Sequence, residues 1–359
     1  MTLPAGAPEP VRVMLCDDSA TARAMLARVL ESEPDIRVVH RAADGRAALD
    51  ALATARPDVV LLDLEMPVMD GMTALPLILK AAPRAAVIVA SALTQRGAKA
   101  AITALAAGAA DYVPKPQGAA GGAADPAFRA ELLAKVRGWA RMKRQDKAGP
   151  ARTAPAPRAP HPAGRARPAL VAIGCSTGGP QALATLVKHL PRLPVPMLVV
   201  QHMPAGFTTL LADHLDRTGA HRCAEARDGE ALEPGRILLA PGDRHLLVEV
   251  AQGRFVARLS TDPPENFCRP AVDPTLRSAA SATGGKVLAV ILTGMGHDGL
   301  EGCRAVAAAG GTVLAQDEAS SVVWGMPGAV ARAGLAAILA PPEALAERIA
   351  AMAAERIGA

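Results

Sequence analysis

Residues 170–180 of the chain read LVAIGCSTGGP, an apolar run followed by a turn of small residues. A segment able to form a helix follows at 181–189. In a Gly-x-Ser-x-Gly turn between a strand and a helix, a serine hydroxyl stands exposed while nearby backbone N–H groups point at the atom it attacks. The stretch therefore predicts a strand–turn–helix unit of an α/β fold, with Ser176 as a candidate nucleophile.

The glycines of this turn are also compatible with a phosphate-binding loop or a simple tight turn. A dinucleotide-binding fingerprint needs a glycine at the position that Ser176 occupies. A nucleotide P-loop ends in Gly-Lys-Ser/Thr, whereas Gly179 is followed by Pro180. Both phosphate motifs fail on these residues. The interpretation as a purely structural turn remains an alternative until a general base for Ser176 is identified.

The composition indicates a globular chain of about two domains. The sequence has 359 residues and 50% of them are hydrophobic, which excludes an intrinsically disordered protein. No apolar run reaches about 18 residues and no secretory signal opens the chain, so we expect a cytoplasmic protein without membrane insertion. The five cysteines lack paired metal-ligand spacing and fit reduced thiols.

Positive charge is concentrated between residues 141 and 168. This stretch holds eight Lys and Arg residues against one acidic residue, so its excess of positive charge is larger than the net charge of the whole chain, +5. Its prolines, alanines and glycines predict an extended linker at 144–168, between a first domain at 1–143 and a second at 169–359. Aromatic residues make up only 2% of the chain and leave few rings for base stacking. We therefore expect no nucleic-acid partner.

The first domain alternates short apolar runs with segments able to form helices. Five such strand–helix units imply a doubly wound parallel sheet. Polar residues come at the ends of four of its strands: Asp17 and Asp18 after the first, Asp63 after the third, Ser91 after the fourth and Lys115 after the fifth. The predicted strands lie at 11–16, 36–40, 59–62, 86–90 and 110–113.

We expect these polar residues to share one edge of the sheet, because chemistry gathers at the carboxyl ends of parallel strands. Three carboxylates at one edge repel one another unless a cation neutralises them, and an all-oxygen ligand set suits Mg²⁺. A carboxylate there can accept a phosphoryl group, and Lys115 and Ser91 can bind its oxygens. The alternative is that each Asp only caps a helix, as Asp18 with Ser19 could.

The polar residues of the first domain belong to longer motifs: Asp17-Asp18, Leu62-Asp63, Met66-Pro67, Asp70-Gly71, Ser91 and Tyr112-Val113-Pro114-Lys115-Pro116. With these motifs, residues 11–140 resemble a response-regulator receiver domain, which has a flavodoxin-like fold. The resemblance implies that Asp63 is the phosphoacceptor, that Asp17, Asp18, Asp63 and the Glu65 carbonyl hold Mg²⁺, and that the Lys115–Pro116 bond is cis. Ser91, Tyr112 and Lys115 match the switch residues of that family.

The second domain alternates strands and helices again. Strands are predicted at 170–173, 197–200, 286–292 and 312–315. Between 224 and 260, turn residues separate short runs at 236–240, 246–250 and 254–259, which predict a small antiparallel insertion. The predicted fold class is therefore α/β, with two doubly wound parallel-sheet domains and an antiparallel insertion in the second.

Ser176, His202 and Asp298 each follow a predicted strand of this second sheet. A parallel sheet therefore brings them to one edge, where His202 could take the serine proton and Asp298 could fix the imidazole tautomer. Backbone N–H groups of the glycine turns at 177–179 and 294–296 could stabilise an oxyanion. His297 is the rival base, and Asp298 could instead cap the following helix. The chain order Ser–His–Asp disfavours an ordinary α/β-hydrolase.

Several further motifs of the second domain stand at fixed spacing: 173–180, Gln201-His202-Met203-Pro204, 240–245, Arg269-Pro270 with Asp273, 293–299, 316–318 and Trp324-Gly325-Met326-Pro327. With these motifs the second domain resembles the CheB family of chemotaxis protein-glutamate methylesterases, and with the receiver ahead of it the likeness spans nearly the whole chain. The resemblance implies that Ser176, His202 and Asp298 form a catalytic triad, with Thr177 and Met295 near the oxyanion.

The family resemblance also implies an activity and its partners. We expect hydrolysis of glutamyl methyl esters, with release of methanol, and deamidation of glutamines on methyl-accepting chemotaxis receptors. A CheA-type histidine kinase would supply the phosphoryl group to Asp63 and so activate the enzyme. We expect a monomer, with no cofactor in the catalytic domain. The rivals are a receiver with a binding-only or DNA-binding output and a hydrolase of small esters.

Overall fold

The computed structural model describes residues 9–91, 94–115, 125–145 and 167–354. The chain divides into two compact units, 1–150 and 151–359. Residues 146–166 of the linker predicted at 144–168, and the Lys115–Pro116 bond, lie outside the described residues. Within the described residues, no helix is long and apolar enough to cross a bilayer.

The first unit is a five-stranded parallel sheet with the strand order β2-β1-β3-β4-β5. The alternation expected from the sequence is confirmed, and Ser19, Asp44 and Asp70 accept backbone N–H bonds as helix N-caps. Its elements are β1 (Val11–Cys16), α1 (Ala20–Glu31), β2 (Ile36–Ala42), α2 (Gly45–Ala55), β3 (Val59–Asp63), α3 (Gly71–Ala81), β4 (Ala86–Ser91), α4 (Gln95–Ala106), β5 (Asp111–Pro114) and α5 (Pro126–Gln145).

The interior strand β3 is buried at every position, which explains why it reads as a continuous apolar run. One core of this unit lies between the sheet and the helices α1 and α5, whose apolar faces cover β1, β3 and β4. Burying the sheet on its faces leaves the carboxyl ends of the strands as the accessible place for charged side chains.

The second unit contains a seven-stranded sheet in the order β14-β13-β12-β6-β7-β9-β8 and a separate pair, β10-β11. Its elements are β6 (Leu170–Cys175), α6 (Gly179–His189), β7 (Met197–Gln201), α7 (Phe207–Thr218), β8 (Arg222–Glu225), β9 (Arg236–Leu239), β10 (His245–Ala251), β11 (Arg254–Ser260), α8 (Val272–Thr283), β12 (Val287–Ile291), α9 (Leu300–Ala308), β13 (Thr312–Gln316), α10 (Met326–Arg332), β14 (Ile338–Ala340) and α11 (Pro342–Ala354).

The antiparallel insertion is confirmed for β10 and β11, which pair in antiparallel register from His245↔Ser260 to Ala251↔Arg254. The same prediction is wrong for the run at 236–240. Its residues form β9, which lies parallel to β7 and joins the main sheet together with β8. Short apolar runs do not encode strand direction, and the pairing partner is chosen by tertiary packing.

Candidate active site

The three central strands β12, β6 and β7 bring the predicted catalytic residues of the second unit to one edge. β6 pairs with β7 up to Cys175↔Gln201, and the His202 N–H donates to the Cys175 carbonyl at 3.1 Å. Ser176 and His202 are therefore the next residues along two adjacent strands, which lie about 4.8 Å apart. On the other side of β6, the Ser176 N–H donates to the Thr293 carbonyl at 3.0 Å.

Two buried polar side chains hold the backbone around Ser176. The Gln201 Nε2 group donates to the carbonyls of Ser176 at 3.0 Å and His202 at 3.1 Å. The Thr293 hydroxyl donates to the Thr177 carbonyl at 2.9 Å. Gln201 thus joins the backbones of the proposed nucleophile and base. It belongs to a motif noted in the sequence, but nothing in that motif indicates this role.

Asp298 is a buried carboxylate that receives hydrogen bonds on both oxygens. Its Oδ2 lies 2.7 Å from His202 Nε2 and accepts the Val272 N–H at 2.6 Å. Its Oδ1 accepts the N–H groups of Asp273 at 3.1 Å and Gly299 at 3.0 Å. Two of these donors belong to the first turn of α8, where the helix dipole favours a negative charge.

These contacts favour the ionised forms of both Asp298 and His202. Burial opposes ionisation of Asp298 and would raise its pKa. The hydrogen bond from His202, the positive charge of the His202 imidazolium and the backbone N–H groups outweigh burial, so the pKa of Asp298 is lowered. Burial likewise lowers the pKa of His202, but the bonds to Asp298 and to Cys268 outweigh it and raise that pKa well above 6.5. The carboxylate is therefore fixed as an anion that favours the imidazolium.

Asn266 is a residue of this site that sequence reasoning missed. Its Nδ2 group donates to Asp298 Oδ1 at 3.0 Å and to Asp273 Oδ2 at 2.9 Å, so one amide bridges two buried carboxylates. Burial and the neighbouring charge of Asp298 raise the pKa of Asp273 to about 6. Asn266 is the only asparagine in the chain. Its being the only asparagine is the one feature of the sequence that marks this residue, but nothing in the neighbouring residues connects it to Asp298.

Cys268 was also missed, and it occupies the second nitrogen of the imidazole. Its Sγ lies 3.4 Å from His202 Nδ1. Within the described residues, no hydrogen bond joins the Ser176 hydroxyl to His202. Because Nε2 is bound to Asp298, Nδ1 is the nitrogen that would take a proton from Ser176, and its weak contact with the Cys268 sulfur would then give way.

The two residues predicted near the oxyanion have backbone N–H groups available for a ligand. Among the described residues, the N–H groups of Thr177 and Met295 donate to no other group. Met295 follows Gly294, which approaches Ser176 so closely that a Cβ on it would lie 2.9 Å from the Ser176 Cβ. Both N–H groups thus belong to turns that adjoin the serine.

The rival base His297 is exposed, and its neighbour Asp298 bonds His202 instead. Asp298 accepts the N–H of Gly299, but Gly299 itself is the N-cap of α9 and makes no side-chain cap bond, so the helix-cap alternative for Asp298 is wrong. The carboxylate instead joins the imidazole to the first turn of α8.

The first unit has a second cluster at the carboxyl edge of its own sheet. Lys115 Nζ lies 2.9 Å from Asp17 Oδ2 and 2.6 Å from Asp63 Oδ2. Asp17 and Asp63 are buried, whereas Asp18 is exposed. Burial and repulsion from Asp17 raise the pKa of Asp63, although Lys115 opposes this. Burial lowers the pKa of Lys115, but its bonds to Asp63 and Asp17 outweigh it and raise that pKa.

This donor set fits a hard divalent cation. Carboxylate oxygens of Asp17, Asp18 and Asp63 lie within 4.8 Å of one another. Three carboxylates face one ammonium at this edge, and such an excess of oxygen ligands suits Mg²⁺. The acidic cluster is thus consistent with the expected magnesium site.

The switch residues of the first unit lie along β4 and β5. The Ser91 hydroxyl donates to the Gly97 carbonyl at 2.7 Å, and the Lys115 N–H donates to the Ser91 carbonyl at 2.7 Å. Tyr112 is buried, and Lys135 Nζ lies 4.7 Å from its ring centroid. Burial raises the pKa of the Tyr112 hydroxyl. Ser91 and Lys115 therefore adjoin the acidic cluster, while the Tyr112 ring is packed in the interior.

Comparison with known proteins gives two family matches. Residues 171–349 match the CheB methylesterase model and residues 13–121 match the response regulator receiver domain model. A protein-glutamate methylesterase/protein-glutamine glutaminase of Azospirillum brasilense is 50% identical, over 94% of this chain and 93% of that protein. A protein of the same designation, numbered 1, from Paramagnetospirillum magneticum is 48% identical over 98% of this chain and 99% of its own length.

One solved structure is similar to the second unit. The crystal structure of the Thermotoga maritima CheB methylesterase catalytic domain shares 44% sequence identity and a TM-score of 0.51 with this chain. It covers 52% of this chain and 98% of its own.

Proposed function

Because the chain belongs to the CheB methylesterase family and carries a response regulator receiver domain, we propose that Ser176, His202 and Asp298 are the catalytic triad of its esterase reaction. The chain is a protein-glutamate methylesterase and protein-glutamine glutaminase. The substrate that this activity implies is a methylated or amidated glutamyl side chain of a chemotaxis receptor. Both reactions are acyl transfers at one side-chain carbonyl, so one serine can serve both.

The observation that carries the proposal is the hydrogen bond of 2.7 Å between His202 Nε2 and Asp298 Oδ2, next to a serine on the adjacent strand end. Ser176 Oγ attacks the carbonyl carbon as His202 Nδ1 takes its proton. The oxyanion that forms accepts the N–H groups of Thr177 and Met295. His202 then returns the proton to the departing methanol or ammonia, and Asp298 stabilises the imidazolium throughout.

Water completes the reaction by attacking the acyl-enzyme. His202 takes a proton from that water, and the bond to Ser176 Oγ breaks, which releases a glutamate carboxylate and restores the hydroxyl. The carboxylate of Asp298 needs no reorganisation during these steps, because its donors are already in place. The catalytic unit needs no metal for this sequence of proton transfers.

Regulation is assigned to the first unit. Asp63 accepts the phosphoryl group from a histidine kinase of the CheA type, and Lys115 and Ser91 contact the phosphoryl oxygens. Asp17, Asp18, Asp63 and the Glu65 carbonyl would hold Mg²⁺, which would supply positive charge for phosphoryl transfer. Loss of the Lys115–Asp63 ion pair on phosphorylation is the local electrostatic change that the switch uses. The proposed domains are 1–143 and 169–359, joined by 144–168, in a protein expected to be cytoplasmic.

Methanol release from methylated receptors in membranes tests the function. Wild type should release methanol, and acetyl phosphate with Mg²⁺ should raise the rate, because phosphorylated Asp63 shifts the population toward the active form. Asp63→Asn should keep the basal rate and lose the response. Absence of methanol release by wild type would refute the receptor substrate, whereas an Asp63→Asn variant that responds like wild type would refute only the switch.

A further inference from the structure

The segment 265–268 is a two-residue turn beside the catalytic groups. Glu265 and Cys268 exchange two backbone hydrogen bonds, at 3.1 and 2.9 Å, around the central residues Asn266 and Phe267. Both central residues have positive φ, 53° at Asn266 and 63° at Phe267. A hairpin turn of this kind favours asparagine followed by glycine, because both central residues adopt the left-handed conformation.

The chain contains a second turn of the same kind that follows this preference. At the tip of the β10–β11 hairpin, Gln252 and Gly253 have φ of 51° and 75° between the paired residues Ala251 and Arg254. Glycine takes the second central position there. At 265–268 that position is taken by Phe267, and a bulky side chain with positive φ is a backbone outlier.

Packing does not compensate for this strain. The Phe267 side chain is 105% exposed, so the ring gains no burial in the free protein. Neither backbone preference nor the hydrophobic effect within the unit explains a phenylalanine at this position. Backbone outliers of this kind cluster at functional sites, where another requirement selects the residue.

The position of the turn indicates what that requirement is. Asn266 donates to Asp298 at 3.0 Å and Cys268 lies 3.4 Å from His202 Nδ1, so the residues on both sides of Phe267 touch the proposed triad. The charged residues at the two ends of the turn, Glu265 and Arg269, are already paired, with Arg277 at 2.6 Å and with Asp243 at 2.6 Å. Met295, at the proposed oxyanion site, is a second exposed apolar side chain. The surroundings therefore favour an apolar contact over an electrostatic one.

We propose that Phe267 is a substrate-recognition residue, whose ring packs against apolar side chains of the receptor helix that presents the modified glutamate. The inference rests on the proposed function, because it takes the receptor as the substrate. A helix presents neighbours of the modified residue three and four positions away on the same face, within reach of a ring at the edge of the site. An aromatic ring that becomes buried only on binding contributes to affinity for the protein substrate.

The test compares two substrates with the full-length protein. Methylated receptor membranes report recognition of the helix, and p-nitrophenyl acetate reports Ser176 chemistry without a helix. The variants are Phe267→Gly, which supplies the residue that the turn favours, and Phe267→Tyr, which keeps an aromatic ring. Val250→Ser is the matched control, because Val250 is a 57% exposed apolar residue on the β10–β11 hairpin.

We expect Phe267→Gly to lower the ratio of kcat/KM for receptor to kcat/KM for p-nitrophenyl acetate about tenfold, as loss of an interface anchor does. The same variant should unfold at a higher temperature than wild type, because the strain is relieved. Phe267→Tyr should keep the ratio within about threefold, and Val250→Ser should leave it unchanged.

Three outcomes would overturn the inference alone. An unchanged ratio in Phe267→Gly would mean that the ring does not contact the receptor, and parallel loss on both substrates would assign the turn a structural role. A change of oligomeric state in sedimentation, with the ratio unchanged, would assign the ring to a contact between copies. Failure of wild type to release methanol would instead refute the proposed function, and this inference with it.

Discussion

Each unit has buried carboxylates at the carboxyl edge of a parallel sheet, but the two units stabilise the negative charge of these carboxylates in different ways. In the first unit, Asp17 and Asp63 share an ion pair with one lysine, Lys115, which is itself partly exposed. In the second, Asp298 is held by backbone N–H groups of Val272, Asp273 and Gly299 besides its two side-chain donors.

The difference teaches what each edge is suited to do. An ion pair with a flexible side chain can be broken and replaced when a phosphoryl group or a cation arrives, which suits a switch. A carboxylate held by backbone N–H groups stays in place when the charge beside it changes, because it could move only together with the helices that carry those groups. Such a fixed carboxylate suits catalysis. Substitutions at each edge, changes of pH and addition of Mg²⁺ should therefore separate the two.

The largest effect is expected from Ser176→Ala. Removing the nucleophile should lower kcat for methanol release about 10⁴-fold or more, as in other serine triads. Thr103→Ala, which removes an exposed hydroxyl on α4, should leave the rate unchanged. Residual activity within tenfold of wild type would show that another group attacks the ester.

The same substitution, aspartate to asparagine, should separate the two edges. Asp298→Asn is expected to lower kcat on p-nitrophenyl acetate by about 10³- to 10⁴-fold, because the amide no longer stabilises the imidazolium. Asp63→Asn should affect only the response to acetyl phosphate. Equal losses in the two variants would contradict the division of labour between the edges.

Asn266→Ala tests whether the bridging amide positions Asp298. We expect kcat to fall about 10- to 100-fold with little change in KM for p-nitrophenyl acetate, as when the supporting partner of a functional ligand is lost. A matched change at another buried polar residue, Thr283→Ala, removes a bond to the Ala279 carbonyl within α8 and should leave kcat near that of wild type. Loss of stability with unchanged kcat would assign Asn266 a structural role only.

The pH dependence of kcat/KM should reflect the raised pKa of His202. A general base must be unprotonated, so the rate rises with pH through this pKa, and the rising limb should lie above the ordinary histidine value of about 6.5. Asp298 and Cys268 are the groups that raise it. Cys268→Ala should therefore move the limb to lower pH, by up to about one unit. A limb that stays in place would mean that Cys268 does not act on the base.

The smallest effect is expected from Mg²⁺ on the first unit. At about ten times its Kd, the cation should stabilise this unit by about 1.4 kcal/mol, measured as a rise in its calorimetric unfolding temperature. Asp17→Asn should abolish the rise, and a chelator should leave basal hydrolysis of p-nitrophenyl acetate unchanged. Inhibition of that basal hydrolysis by the chelator would contradict the separation of the two edges.

Much of the fold followed from local patterns. The apolar runs at 59–62 and 170–173 predicted β3 and β6, and Ser19 caps its helix as expected. Ser176, His202 and Asp298 each follow a predicted strand, and the structure puts the first two on adjacent strand ends and the third in contact with the imidazole.

The site residues that the sequence does not predict are those whose partners lie far along the chain. Asn266 and Cys268 sit in a loop without periodicity, and their contacts to Asp298 and His202 span 32 and 66 positions. The direction of β9 escaped for the same reason, since the run at 236–240 is compatible with either pairing.

The sequence by itself determined the strands, the helices, the caps and the residue types at the strand ends, because side-chain periodicity and turn chemistry act over a few neighbouring residues. Only the tertiary structure decided which groups meet. It placed Cys268 against Nδ1 of His202, bridged two carboxylates with Asn266 and left Phe267 in solvent. Burial and charge at those positions depend on neighbours brought together by folding, and sequence spacing does not encode them.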